Sequence, residues 1–187
     1  SSTEIFGRVG EEDRDLRFSY IDIKTSILHP LVYQHVVKLK GLYEGIMQSR
    51  AFAIWDEVEK DFVTSDELHG DTGYAFFLEH WLDIVFKQTG SEERAARIKF
   101  VEKFCPNAMV TKIPVIPAGF RDLEVDATGR TKEGEINEFY RSLLSAANAI
   151  GVTSDLTSPV LNNSRYSLQL TTNKIYGYLN NLISGKG

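Results

Sequence analysis

The sequence has a single cysteine, Cys105, among its 187 residues. One cysteine excludes an internal disulfide and any zinc site built from paired cysteines. No apolar run approaches the roughly 18 residues that a membrane-spanning helix needs, and the N-terminus has no signal-peptide pattern. Together these absences predict an intracellular protein that works in a reducing compartment.

Basic residues are not in excess either. The 21 Lys and Arg residues are outnumbered by 26 Asp and Glu residues, which gives a net charge of −5. Free-standing nucleic-acid binders usually carry a basic surplus. If this chain contacts nucleic acid, we therefore expect a local cationic patch within a larger assembly.

Sequence patterns of catalytic sites are also missing. There is no P-loop, GxGxxG, HExxH or nucleophile-elbow motif. His69 and His80 lie near Asp71 and Glu79 in the sequence, but their spacing matches no metal-binding pattern, so no metal site is expected. Cys105 has no obvious base partner and is interpreted as a structural residue.

The hydrophobic pattern predicts a mixed α+β fold that is mainly helical. Isoleucines alternate with polar residues in "RFSYIDIKTSIL", which is typical of a half-buried strand. Pro30 suits the first turn of the helix "LVYQHVVKLK", and "AFAIWDEVEKDFVT" predicts a β-hairpin. One helix is expected from Asp71 or Thr72 to Gln88, and Ser91 can cap a second one. These two helices are predicted to form an antiparallel pair.

The second half begins with the strand "AMVTKIPVIP", whose two prolines lack a backbone donor and so place it at a sheet edge. A charged loop over residues 120–135 follows, and then two amphipathic helices within residues 136–187. Only one side of each helix is apolar and no later element covers them, so we predict a helical hairpin that projects from the body. The expected organisation is an arm over residues 1–16, a core over residues 17–119, the loop and the hairpin.

The loop contains the cations Arg121, Arg130 and Lys132 and the glycines Gly129 and Gly134. Arginine can hold phosphate oxygens through two parallel hydrogen bonds, and glycine lets the backbone bend sharply. The residues alone favour a plain surface loop of mixed charge. A loop that contacts nucleic acid is the alternative that they leave open.

The stretch "PVIPAGFRDLEVDATGRTKEGEINEFYR" resembles the largest (β′) subunit of bacterial-type multisubunit RNA polymerase. In that family a proline-rich "LPV-x-PP-x-LRPL" strand leads into the lid loop and then into a "DLNDLYRR" helix that opens the clamp coiled coil. The likeness is strongest over residues 113–141 and runs without a gap. The matching positions are Pro114, Val115, Pro117, Arg121, Leu123, Gly129, Arg130, Asn137, Tyr140 and Arg141.

Weaker similarity follows the same order along most of the chain, from "SSTEIFGRV" to "EERAARIKFVEKFC". The chain departs from the family in three places, one of which is a short segment after the hairpin that implies a reduced or absent rudder loop. The short "GEEDRDL" stands where the family has a cysteine-rich zinc ribbon, so zinc is not expected. The "NADFDGD" loop, whose aspartates hold catalytic magnesium, is missing. A β′-like chain reduced in this way is most similar to the split polymerase subunits of giant bacteriophages.

The resemblance implies a part of a DNA-directed RNA polymerase, a nucleotidyltransferase, without a complete active site in this chain. Mg²⁺ would be bound by another segment or chain of the assembly. The loop would be the lid at the upstream end of the RNA–DNA hybrid, contacting nucleic acid through Arg121, Arg130 and Lys132. The implied partners are β-like and remaining β′-like subunits, template DNA and transcript. The implied location is the cytoplasm of an infected bacterium, with the virion as a second location.

The helical hairpin would be the clamp coiled coil, which docks a promoter-specificity (σ) factor. A solvated helix face without a partner is the alternative for its exposed positions. A second interpretation of the whole chain is a stand-alone helical adaptor that binds one protein and has no nucleic-acid role. The residues expected to contact the specificity factor are Glu138, Arg141 and Ser145 on the first helix, and Arg165, Gln169 and Lys174 on the second.

Overall fold

The computed structural model describes residues 19–121, 123–151 and 161–185. They form a mixed α+β fold that is mainly helical, as the hydrophobic pattern predicts. The predicted arm over residues 1–16 lies outside them. The strands are β1 (Ser19–Leu28), β2 (Phe52–Asp56), β3 (Asp61–Ser65), β4 (Met109–Val115), β5 (Leu123–Val125) and β6 (Thr131–Glu133). The helices are α1 (Pro30–Leu39), α2 (Gly41–Met47), α3 (Tyr74–His80), α4 (Glu92–Phe104), α5 (Glu135–Gly151) and α6 (Asn162–Ile183).

Strands β1 and β4 pair antiparallel and lie against the core. Ile21 of β1 lies opposite Ile113 of β4, and both side chains are buried. Residues 23–26 of β1 face only Thr111 of β4, so the register shifts there. Lys24, within this irregular stretch, has a left-handed backbone conformation with φ of 61°. The two strands form a two-stranded sheet, which agrees with the edge position predicted for β4 from its prolines.

The β2–β3 hairpin is confirmed with its turn at residues 57–60. Ala53 and Phe62 point to the core, while Ile54 and Val63, which lie opposite each other, are exposed. The alternation of buried and exposed positions is the period of two that the sequence displays. The hairpin therefore buries one face and leaves the other in solvent.

Helix α1 begins at Pro30 as predicted, because proline's fixed φ suits the first turn of a helix. Val36 and Leu39 are buried, whereas Leu31 is 50% exposed. The exposed position of Leu31 follows from its place in the first turn, beside Pro30, which is itself buried.

The helix predicted to reach Gln88 is shorter. α3 ends at His80 and continues only as a 3₁₀ turn over Trp81–Asp83. Trp81 is buried, but Val85, which the predicted helix would have included, is 60% exposed. α4 is capped by Ser91 as predicted. It packs mainly against α1, so its helical neighbour is α1 rather than α3.

Helices α5 and α6 pack antiparallel on each other and on β1, and α6 also contacts α1 and α3. Their apolar residues Leu143, Ile150, Leu168 and Ile175 have no exposed surface. The prediction of a projecting hairpin is therefore wrong. The physical reason is that β1, which precedes the helices by more than a hundred residues, packs against them, so no later element is needed to bury their apolar sides.

A buried side-chain amide joins α6 to β1. Gln169 has no exposed surface, and its Oε1 accepts hydrogen bonds from the backbone N–H of Leu28 at 3.0 Å and the Tyr74 hydroxyl at 2.6 Å. Its Nε2 donates to the carbonyl of Leu28 at 2.9 Å and to Oδ1 of Asn173 at 3.0 Å. One side chain thus satisfies both backbone groups of a buried strand residue.

Replacing Gln169 with Ala should lower the free energy of unfolding by about 2 kcal/mol, because the buried carbonyl of Leu28 and the O–H of Tyr74 lose the partners that Gln169 supplies, while the N–H of Leu28 keeps the Tyr74 oxygen as its acceptor. Urea titration followed by circular dichroism measures this change. Asn180→Ala, at an exposed position of the same helix, should cost less than about 0.5 kcal/mol. Equal losses in the two variants would contradict the role given to Gln169.

Candidate nucleic-acid interface

The predicted loop over residues 120–135 contains a short β-hairpin. Leu123 pairs with Glu133, and Val125 pairs with Thr131. Every residue of both strands is exposed. The sequence pattern did not reveal the hairpin because neither strand buries a face, so there is no alternation of apolar and polar residues to detect.

The tip of this hairpin is held by one carboxylate. Oδ1 of Asp126 accepts hydrogen bonds from the backbone N–H groups of Thr128 at 2.8 Å and Arg130 at 3.0 Å, and from the Thr128 hydroxyl at 2.6 Å. The side-chain bond from Thr128 and these backbone bonds lower the pKa of Asp126. Gly129 has φ of 80°, a conformation that L side chains rarely adopt. The chain therefore fixes the tip locally, without burying it.

Asp126 was not among the predicted site residues, although the sequence carried a signal for it. Aspartate followed by threonine and glycine within "DATGR" is typical of a turn in which the carboxylate accepts backbone N–H groups. Its position explains why the segment turns where it does.

Arg130 and Lys132 are both exposed on this hairpin, as a contact with nucleic acid requires. Lys132 lies opposite Glu124 in the strand pairing. Asp126 stays negatively charged, because hydrogen bonds from N–H and hydroxyl groups do not neutralise a carboxylate, and Glu133 forms an ion pair with Arg141. The charges of Arg130 and Lys132 are therefore matched in number by those of Glu124 and Asp126, and a contact with phosphate depends on these two exposed side chains rather than on a net positive hairpin.

Arg121, the third predicted contact, is tied to its own chain. Its Nε donates to the carbonyl of Ile116 and its Nη1 to Oδ1 of Asn137, both at 2.9 Å. These bonds join the segment that follows β4 to the first turn of α5. Arg121 thus positions the hairpin, and its guanidinium is not presented to solvent in the way that Arg130 is.

A tyrosine makes a second tie at the same place. The Tyr140 hydroxyl donates to the carbonyl of Pro114 and accepts from the N–H of Ile116, each at 3.2 Å. Tyr140 is buried, and burial raises the pKa of its hydroxyl. The base of the hairpin is therefore fixed between β4 and α5.

The residues predicted to contact a specificity factor divide into two groups. Glu138, Arg141, Ser145 and Lys174 are exposed. Arg165 and Gln169 are buried, and their prediction as exposed contacts is wrong. The reason lies in β1, because Arg165 donates through Nε to the Thr25 hydroxyl at 2.7 Å while Gln169 bonds to Leu28.

Metal binding and membrane insertion find no support in the described residues. Across residues 19–121, 123–151 and 161–185, no group of three or more His, Cys, Asp or Glu side chains is arranged to hold a metal ion. No helix within these ranges is both long enough and apolar enough to cross a membrane.

Cys105 is half-buried, and burial raises the pKa of its thiol, which disfavours the reactive thiolate.

Comparisons with known proteins do not assign a family. A scan against protein-family models finds no match. A search of curated proteins finds no significant relative. The function of the hairpin must therefore be argued from its residues and geometry.

Two arginines of the same segment should behave differently. Arg121→Gln should lower the free energy of unfolding by about 1–2 kcal/mol, because it breaks the bonds to Ile116 and Asn137. Arg130→Gln removes the same charge from an exposed position and should change stability by less than about 0.5 kcal/mol. Thermal and urea unfolding of both variants check this. A larger loss in Arg130→Gln would contradict the positions given to them.

Proposed function

We propose that this chain is the clamp and lid part of a β′-like subunit of a DNA-directed RNA polymerase. The observation that carries the proposal is the exposed hairpin with Arg130 and Lys132, held at its base by Arg121 and Tyr140. It lies within residues 113–141, where the resemblance to the polymerase family is strongest. The catalytic Mg²⁺ of such an enzyme would be held by another segment or chain.

The geometry of the hairpin suits a lid. Its short strands bond to each other, so the backbone needs no partner to keep its shape when nucleic acid approaches. The guanidinium of Arg130 and the ammonium of Lys132 can contact phosphates without reading sequence. A fixed base and two exposed cationic side chains are what an element needs to stand between a transcript and its template strand.

The exposed face of α5 and α6 supports the clamp part of the proposal, in which this region docks a promoter-specificity factor. Glu138, Arg141, Ser145 and Lys174 remain available to a promoter-specificity factor. The helices do not project, so the factor would dock on a face packed against the body of the chain. In this proposal the protein works in the cytoplasm of an infected bacterium, and the virion is a second location.

A stand-alone protein-binding adaptor is the second candidate function. Four exposed apolar residues on α5 and α6 favour it, because partner proteins commonly cover such residues. They are Leu144, Leu170, Leu182 and Ile183.

The decisive experiment is purification of the tagged full-length chain from the cells in which it is naturally made. Under the polymerase proposal, the purified material performs DNA-templated RNA synthesis and contains a polypeptide with an aspartate-triad loop. Removal of Mg²⁺ with a chelator should abolish synthesis. A chain that purifies without synthesis activity, bound to one unrelated protein, would support the adaptor instead.

Replacing Arg130 and Lys132 together with Ala should weaken transcript displacement in the purified assembly while leaving the fold intact. Binding of an RNA–DNA hybrid, measured by fluorescence anisotropy across salt concentrations, should lose a salt slope of about 0.7 to 0.9 per cation removed. The matched control replaces Lys99 and Lys103, two exposed lysines of α4. If the control variant loses as much salt dependence, the hairpin is not the contact.

Arg141→Ala should reduce promoter-specific initiation more than nonspecific transcription, because it removes an exposed cation from the proposed docking face. Glu133→Gln is the matched control, since it also breaks the Arg141–Glu133 ion pair but keeps the cation. Run-off assays on promoter and nicked templates measure both activities. An equal loss of the two activities in Arg141→Ala would contradict a docking role.

A further inference from the structure

A cavity of about 450 Å³ lies between α3 and the start of α6. Phe76 contributes to its apolar part, Asn162 and Arg165 line it from α6, and the exposed carboxylates of Asp71 and Glu79 also border it. Oδ1 of Asn162 accepts a hydrogen bond from the backbone N–H of the α3 residue Ala75 at 2.9 Å, which fixes this wall. The volume is sufficient for a small polar ligand or one side chain.

Arg165 is the unusual residue of this cavity. It is only 8% exposed, and its Nε is bonded to the Thr25 hydroxyl. Within the described part of the chain, Arg165 forms no ion pair with a carboxylate. Burial lowers the pKa of its guanidinium. Burying an arginine without an anion costs several kcal/mol, so such residues normally have a charged partner.

We propose that this cavity binds a carboxylate group, held by the Nη groups of Arg165. Guanidinium and carboxylate match geometrically, because two parallel hydrogen bonds form between them. A carboxylate fits better than a phosphate monoester, since Asp71 and Glu79 border the cavity and repel a doubly charged anion more strongly. The site does not involve the hairpin and does not depend on the proposed role in transcription.

The site is tested on the full-length chain by nuclear magnetic resonance of the Arg165 Nε–H group. Sodium acetate is titrated at constant ionic strength set with sodium chloride, and sodium phosphate is titrated in parallel. We expect a saturable shift with acetate and a weaker one with phosphate. A blocked peptide with one glutamate side chain forms a third titration. If the peptide binds at least as tightly as acetate, the natural source is a protein side chain; if only acetate binds, it is a free small molecule.

Two variants keep the test independent of folding defects. Glu79→Gln removes a negative charge beside the cavity and should tighten acetate binding about threefold. Glu102→Gln, an exposed carboxylate of α4 outside the cavity lining, is the matched control and should leave affinity unchanged. An equal effect of both variants would overturn the assignment of the site.

Three further results would overturn the proposal. The first is a wild-type chain that gives no saturable shift with acetate. The second is phosphate binding tighter than acetate. The third concerns Asp155, which lies in residues 152–160, outside the described residues. If acetate binds only after Asp155→Asn, the chain supplies its own carboxylate and the cavity is not a ligand site.

Discussion

The bonds from Gln169 to both backbone groups of Leu28 fix the relation between the last helix and the first strand. Leu28 ends β1 just after the irregular stretch at residues 23–26, where β1 and β4 lose their regular pairing. A strand residue that is buried there needs partners other than the neighbouring strand. Gln169 provides them, and Arg165 adds a bond to Thr25 one turn earlier on α6. The position of α6 follows from these polar contacts as much as from its apolar side.

α6 and α5 pack against each other, and α5 in turn carries the hairpin. α5 also packs against β1, and its residues Leu143 and Ala147 are buried. At its start, Asn137 and Tyr140 hold the end of the proline strand. A contact made deep in the fold thus sets the base of a hairpin that is itself fully exposed. The hairpin needs no core of its own, because its anchors belong to the core.

Much of the fold could be predicted from local patterns. The alternation in β1, the proline that starts α1, the β2–β3 hairpin and the cap of α4 each depend on a few neighbouring residues, and all appear in the structure. The projection of α5 and α6 was predicted wrongly because β1 covers them from far away in the sequence. Arg165 and Gln169 looked like exposed positions because polar residues are usually exposed. Burial of a polar residue depends on a specific distant partner, which no local pattern records.

The candidate site likewise has features that local sequence predicts and features that depend on distant partners. The exposure of Arg130 and Lys132 could be read from composition, whereas the inward bonding of Arg121 could not, because all three are cations in one polar segment. They differ in their distance from the core. Arg121 lies at the base of the hairpin beside the first turn of α5, whereas the strand register places Arg130 and Lys132 farther out. α5 therefore serves two surfaces at once: Asn137 and Tyr140 hold the hairpin, while Glu138 and Arg141 face solvent. Arg141 also pairs with Glu133 at the end of β6. A partner that engaged Arg141 would therefore act on the same helix that positions Arg130 and Lys132, and the two proposed contacts would be mechanically linked.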